Sequence, residues 1–384
     1  MSTAAAPILG VIGASLKPDE RRVPIHPAHF DRLPDALRPR IMVEEGYGRR
    51  FGVPDDVLRP LVGGIEPRDA IFADADVLLL PKPQWEDVRQ MRDEQVLWGW
   101  PHLVQDPALT QLAIDKRLSV IAFEAMQHWG ADGAFGLHVF HKNNELAGYC
   151  SVLHALQLCG STADYGRRLT AVVIGFGATA RGAVTALRAL GVQEVRVLTN
   201  RRTASVASPI HAAHMMQFDH DESAPYSSEV ITEDGRVPLA PFLAASDIVV
   251  NCTLQDPNHP LLYLRESDLE GFRRGSLIVD VSCDEGMAFE WARMTSFAEP
   301  MLTVGGGVDY YAVDHSPSYL WNSATWEISE ALLRFVPTVM GGPDAWTGSE
   351  TISRAIEIRD GAIVNPAILE FQHRSTEPGH PVVR

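Results

Sequence analysis

Cysteine is scarce in this chain: four in 384 residues, at positions 150, 159, 252 and 283. None forms a C-x-x-C pair, which argues against a thiolate metal site of ordinary spacing. Cys150, Cys159, Cys252 and Cys283 therefore read as small buried residues, and no metal is expected. Long apolar runs are missing too. None approaches the ~20 residues of a membrane helix, and the N-terminus lacks the basic and apolar regions of a secretory signal. A soluble protein of the reducing cytoplasm is the expectation. Positive charge is in deficit, 33 Lys and Arg against 49 Asp and Glu, a net −16. That balance argues against duplex nucleic acid or an anionic membrane surface as the main partner. There is no internal repeat and no low-complexity block.

What is present is an ordinary globular composition, 46% hydrophobic and 21% charged, in a chain long enough for two domains. Apolar runs alternate with helix-like stretches. Ile8 to Gly13, Ile41 to Glu44, Ala75 to Leu80, Gln95 to Trp100 and Ser119 to Phe123 read as buried strands. From Asn144 the spacing of Leu146, Tyr149, Cys150, Leu153 and Leu156 turns helical, with Gly160 as a stop. A second series of strands follows at Leu169 to Gly175, Glu194 to Leu198, Ile248 to Asn251 and Ser276 to Asp280. Helix returns from about Asn322 to Phe335. The pattern predicts an α/β protein with two Rossmann-like domains of mostly parallel sheet, joined by long helices. The expected division is 1–143 for a substrate domain, 144–308 for a dinucleotide-binding domain and 309–384 for a return to the first. The polar stretch from Thr203 to Arg236 reads as an insertion, and the residues after His373 as a loose tail.

Polar residues collect just past the strand ends: Arg22 after the first, then Lys82, His102 and Glu124. Open α/β sheets bind ligands at those carboxyl ends, so the four together mark a candidate site.

Gly175, Gly177 and Ala180 follow an apolar strand and open a helix-like run from Arg181 to Leu190. Glycine there permits a tight turn and lets a pyrophosphate approach backbone N–H groups at a helix N-terminus, with Ala178 and Thr179 completing the turn. About 20 residues on, an NAD site places a carboxylate for the ribose 2′-hydroxyl. This chain has Asn200, Arg201 and Arg202 instead. Two guanidinium groups suit a 2′-phosphate, so NADP(H) is the expected cofactor. Cys252 and Val281, at the ends of two later strands, are further candidates for the cofactor's surroundings.

Hydride transfer to a carbonyl or imine needs a carboxylate anchor, a proton donor and a dry pocket. Arg22 can grip a 2-keto-acid carboxylate with two hydrogen bonds. Lys82 can polarise the keto oxygen or exchange protons. His102 is the candidate general acid/base near neutral pH. Asp284, past a cofactor-domain strand, can face the nicotinamide ribose or a substrate ammonium.

At these residues the sequence resembles the alanine dehydrogenase, transhydrogenase and lysine-forming saccharopine dehydrogenase superfamily. The match runs through Glu20 to Val23, Pro81 to Pro83, His102 and Val279 to Ser282. It is most similar to the opine-forming carboxyethylornithine synthases, through Trp98 to Gln105, Glu124 to Trp129, Gly136 to Cys150 and Val173 to Gly182. The resemblance implies two domains around a cleft and a reductive condensation. A pyruvate-like keto acid would meet the side-chain amine of an ornithine- or lysine-like amino acid, and NADPH would reduce the imine. It implies that Arg22 binds the keto-acid carboxylate, that Lys82 and His102 share proton transfers, and that Asp284 lies against cofactor and substrate. Glu124 would lie near the amine. Asp314 and His315 belong to a segment resembling the saccharopine and opine-forming members, which tilts the amine from ammonia toward an amino acid. Homo-oligomers are usual in such a family. Two rivals stay open: an ammonia-using amino-acid dehydrogenase, and an idle NADP-binding protein.

Overall fold

The computed structural model describes residues 7–130, 132–200, 210, 213–220, 226–255 and 260–383. They form two compact units, one of residues 1–141 and 321–384, the other of residues 142–320.

Unit 1 is built on an eight-stranded sheet. Its strands β1 (Leu9–Val11), β2 (Ile41–Glu44), β3 (Gly64–Glu66), β4 (Val77–Leu79), β5 (Val96–Gly99) and β6 (Ser119–Ala122) lie parallel in the order β3-β2-β1-β4-β5-β6. Strand Ile356–Arg359 adds antiparallel to β6, and Ala362–Ile363 closes that edge. A sheet covered on both faces needs apolar residues on both. Leu9, Val11, Val77, Leu79, Trp98 and Ile121 fill one core. The alternating Ile12, Leu78, Leu80, Leu97 and Val120 fill the other. The helix Trp321–Leu332 belongs to the first face. Its Thr325 hydroxyl accepts the Val23 N–H at 3.1 Å, and its Ser329 hydroxyl meets His29 Nδ1 at 2.8 Å. A small antiparallel hairpin, β7 (Gln127–Trp129) and β8 (Phe135–His138), follows β6.

Unit 2 repeats the scheme. The strands β9 (Thr170–Ile174), β10 (Glu194–Thr199), β11 (His214–Asp219), β12 (Glu229–Thr232), β13 (Gly235–Pro238), β14 (Ile248–Asn251), β15 (Leu262–Leu264), β16 (Leu277–Asp280), β17 (Ala288–Phe289), β18 (Met301–Val304) and β19 (Val308–Tyr311) appear in chain order. Six of them run parallel as β11-β10-β9-β14-β16-β19, the same permutation as in unit 1. β12 and β13 extend one edge antiparallel and β18 extends the other, while β15 and β17 pair apart. In each sheet the strand order reverses beside the first strand, where such folds bind ligands.

The architecture expected from the alternating pattern is the one found, and three local readings are corrected. Residues 203–236 are not simply an insertion: among the described residues, β11 joins the parallel sheet beside β10. Its run from His214 to Asp219 lacks β-branched residues, so pairing with β10 makes it a strand. Residues 309–320 belong to unit 2, because β19 is a strand of its sheet. The segment after His373 is fastened down. Arg374 and His380 are buried. The Arg374 guanidinium donates to Gln372 Oε1 at 2.6 Å, Gln111 Oε1 at 2.7 Å and the His380 carbonyl at 3.1 Å. His380 Nε2 in turn accepts the Ile363 N–H at 2.9 Å. Three of the four cysteines are buried and Cys159 is half-buried.

Candidate active site

Unit 1 gathers the acid–base residues at the carboxyl edge of its parallel strands. Lys82 follows β4, His102 follows β5 and Glu124 follows β6, so three neighbouring strands deliver them side by side. Lys82 Nζ stands 3.0 Å from His102 Nε2. His102 takes the left-handed conformation, φ 50° and ψ 45°, which is uncommon outside glycine. Glu124 holds it there: its Oε1 accepts the His102 N–H at 2.7 Å and lies 3.8 Å from His102 Nδ1. The other oxygen, Oε2, is buried with no hydrogen-bond partner among the described residues. Burial first, and then the charge of Glu357, push the Glu124 carboxyl above the usual range, against the pull of Lys82.

Behind Glu124 sits His138, on β8. Its Nε2 meets the Glu124 carbonyl oxygen at 3.1 Å and its Nδ1 accepts the Phe140 N–H at 3.0 Å. Those partners define a neutral ring protonated on Nε2. Burial pushes its pKa down to about 4.

Arg22 is buried, and its guanidinium grips Glu20 through Nε at 2.8 Å and Nη2 at 2.5 Å. It also lies 5.5 Å from the Trp100 ring centroid. Trp100 packs edge-on against Phe123 and Phe140, which gives the set an apolar wall. A substrate carboxylate at Arg22 would therefore share the guanidinium with Glu20. Glu20 was legible only as part of a motif; nothing in its spacing pointed to this pairing.

In unit 2 the turn after β9 is formed by Gly175, Gly177, Ala178, Thr179 and Ala180. Gly175 has φ +113°, and a Cβ there would lie 2.7 Å from the Cys252 carbonyl oxygen. Cys252, just past β14, is thus the wall on which the turn rests. Gly177 precedes the helix Ala178–Ala189, and a Cβ on it would meet nothing within 4 Å. The exposed backbone at that helix N-terminus is the cradle a pyrophosphate requires. Ala180 is fully buried behind it.

Two glycines that sequence reasoning passed over complete the unit. A Cβ on Gly182 would lie 1.7 Å from the Glu145 carbonyl oxygen, and one on Gly148 would lie 1.9 Å from that of Thr179. They let the helix His141–Leu158 press against the cofactor-type helix. Gly148 and Gly182 lie on two different helices, so no local pattern links them and only packing reveals the contact.

Asn200 is exposed, one residue past β10. Arg201 and Arg202 lie outside the described residues. Val281 follows β16 and donates its N–H to the Asn251 carbonyl at 3.0 Å. Asp284 is half-buried in the same loop. Beneath it Asp280 is buried and accepts from Asn251 Nδ2 at 2.9 Å, the Tyr310 hydroxyl at 2.8 Å and the Cys283 N–H at 3.1 Å. Burial pushes Asp280 up to about 6, with the Asp284 charge adding to the shift against those three donors. Asp314 and His315 form a dyad: Asp314 Oδ1 lies 2.7 Å from His315 Nδ1. The buried His315 Nε2 has no hydrogen-bond partner among the described residues.

Two doubly covered sheets of the 3-2-1-4-5-6 order, one ending in a lysine–histidine–carboxylate set and the other in a glycine turn, define a two-unit α/β protein of the dehydrogenase class. The chain belongs to the alanine dehydrogenase/PNT family: the model of the N-terminal domain matches residues 12–147 and that of the C-terminal domain residues 162–366. Family membership carries dehydrogenase-type oxidoreduction. The chain is 24% identical over 332 residues to N(5)-(carboxyethyl)ornithine synthase of Clostridium botulinum, covering 83% of this chain and 90% of that protein. It is 26% identical over 347 residues to the alanine dehydrogenase of Halomonas elongata, covering 86% and 88%. A solved L-alanine dehydrogenase shares the fold with a TM-score of 0.74 at 20% identity, over 94% of this chain and 98% of that one. A transhydrogenase from Sinorhizobium meliloti gives 0.69 at 21% identity, over 94% and 99%. Among the described residues no helix is long and apolar enough to cross a membrane.

Proposed function

We propose that this chain is an NADPH-dependent synthase that condenses a 2-keto acid with the side-chain amine of an amino acid and reduces the product. In balance, keto acid, amine, NADPH and one proton give an N-(carboxyalkyl) amino acid, NADP⁺ and water. The observation that carries the reading is the 3.0 Å approach of Lys82 Nζ to His102 Nε2 at the carboxyl edge of the unit 1 sheet. Carbinolamine formation and loss of water each move a proton, and two basic groups within one hydrogen bond of each other can pass it between them. The similarity to carboxyethylornithine synthases supports the choice of an amino-acid amine.

Arg22 would bind the keto-acid carboxylate beside Glu20. Lys82 would stabilise the developing oxygen charge, and His102 would give the proton that lets water leave. Glu124 would hold His102 in position and lie near the amine. Asp284, Asp314 and His315 are proposed as contacts to cofactor and amino acid. The dinucleotide would rest on Gly175 to Ala180, flanked by Cys252 and Val281, with Asn200, Arg201 and Arg202 reading the 2′-phosphate. When bound, the dihydronicotinamide supplies the hydride. The open space at Gly177 and the clash-limited Gly175 fit that group.

The second reading, an ammonia-using amino-acid dehydrogenase, is favoured by the similarity to alanine dehydrogenases at comparable identity. NADPH oxidation separates the two. Pyruvate with ornithine or lysine should turn over faster than pyruvate with ammonium. Equal or faster turnover with ammonium would sink the synthase reading.

A further inference from the structure

Asp280 takes no part in the scheme above, yet three donors converge on it. It ends β16 and is buried. Asn251 ends β14 directly beside it in register, and Tyr310 stands on β19 at the other side. Asp280 Oδ1 accepts both Asn251 Nδ2 at 2.9 Å and the Cys283 N–H at 3.1 Å, while Oδ2 accepts the Tyr310 hydroxyl at 2.8 Å. A carboxylate only accepts, so the Asn251 amide turns its nitrogen to Asp280 and its oxygen away. That oxygen takes the Thr253 hydroxyl at 2.7 Å and the Thr253 N–H at 3.3 Å. The chain is thereby bent around Cys252, whose carbonyl supports Gly175. In the other loop Cys283 has φ +46°, a conformation that few residues besides glycine adopt unsupported. Ser282 Oγ donates to the Thr253 carbonyl at 2.6 Å and laces the two loops together.

We infer that Asp280 is a positioning residue: its carboxylate clamps the loop after β16 through the Cys283 N–H and the loop after β14 through Asn251, and so fixes where Asp284 and the Cys252 wall stand. The inference rests on the roles proposed for Asp284 and the glycine turn and adds the group that holds them. Hydrogen bonds to a charged acceptor are roughly twice as strong as neutral ones, so the clamp is tight only while Asp280 is ionised. The titratable groups facing it are Asp284 and Cys283 on its own loop, Cys252 past β14, Tyr263 on β15 and Tyr310 on β19. Burial, with the Asp284 charge adding to it, holds Asp280 at about 6. As pH falls through that value the carboxyl takes a proton and Oδ1 becomes a neutral, weaker acceptor.

The test uses the full chain and two substitutions. Asp280→Asn keeps the shape and removes the charge, as protonation does. Hydrogen exchange over residues 281–284, read by mass spectrometry near neutral pH, should quicken roughly 5- to 10-fold, the difference between a charged and a neutral acceptor. Exchange in β9 should stay as in wild type. With pyruvate and ornithine, kcat should fall by ~10–10²-fold, as expected when a substrate contact is displaced. Tyr310→Phe leaves both bonds to Oδ1 and removes a donor that favours the charged form. The pH below which wild type loses protection at 281–284, after correction for intrinsic exchange, should therefore rise by about one unit in this variant. Unchanged exchange in Asp280→Asn, or quickening spread equally over β9, overturns the inference. If Asp280→Asn does not fold, Tyr310→Phe decides, and a protection profile that stays in place or moves to lower pH overturns it. Exchange needs no turnover. A chain whose 281–284 loop responds as stated but which condenses no keto acid with an amine fails as a synthase and keeps its clamp.

Discussion

Lys82 Nζ and His102 Nε2 lie 3.0 Å apart, and Glu124 holds the His102 backbone from the opposite side. A lysine ammonium donating to Nε2 leaves the imidazole proton on Nδ1, which faces Glu124 Oε1 at 3.8 Å. That order of groups, cation to imidazole to carboxylate, is a path along which a proton can be placed and recovered.

His102→Ala should therefore cut kcat by ~10²–10⁴-fold, the usual loss for a removed general acid–base group. NADPH affinity, followed by fluorescence, should stay within about twofold of wild type. An unchanged rate would remove His102 from the chemistry.

The two glycines of the turn should separate. Gly177→Ala meets no protein atom, so the free protein should melt at the wild-type temperature while NADPH binding weakens by at least ~10-fold, about 1.4 kcal/mol. Gly175→Ala combines a φ of +113° with a Cβ 2.7 Å from the Cys252 carbonyl and should lower thermal stability as well. If Gly177→Ala bound NADPH normally, the dinucleotide would not lie against that turn.

Gly182→Ala tests the helix contact. Its Cβ would sit 1.7 Å from a backbone oxygen that no rotamer can move, and overpacking of this kind costs about 1–3 kcal/mol. Urea unfolding should show the loss without any substrate present. A variant as stable as wild type would mean that the helices separate at little cost.

His138 sets a pH dependence whose sign follows from its neutral, buried ring. Its folded pKa is lowered to about 4, against about 6.5 in the unfolded chain. Its contribution is full above about 6.5 and is lost as pH falls toward 4, because the unfolded state takes up a proton that the folded state refuses. His138→Gln should flatten that part of the acid slope. The raised carboxyls of Glu124 and Glu357 act in the opposite direction, contributing below the ordinary carboxylate range and less as pH rises. The measurement is therefore the difference between wild-type and variant unfolding curves from pH 7 to 4.5, not the absolute slope. An identical slope in both proteins would count against the buried neutral ring.

Arg201→Ala combined with Arg202→Ala should weaken NADPH much more than NADH in equilibrium titrations, since only one of the two carries the 2′-phosphate. Equal losses would reassign the phosphate contact.

The sequence by itself determined the local events. Two alternations of apolar strand and helix carry their own period, and Gly175 announces a backbone angle that other residues resist, so both sheets and the turn could be read along the chain. The strand ends also announced Lys82, His102 and Glu124, because a parallel sheet puts all its carboxyl ends on one edge. Tertiary structure decided the rest. β11 became a strand by pairing with β10, and the segment after His373 was secured by Arg374 reaching Gln111. Gly148 and Gly182 matter through two helices meeting, and Asp280 meets Asn251 and Tyr310 across neighbouring strands. Those contacts join residues distant in sequence, and no local propensity or spacing encodes which two distant residues will touch.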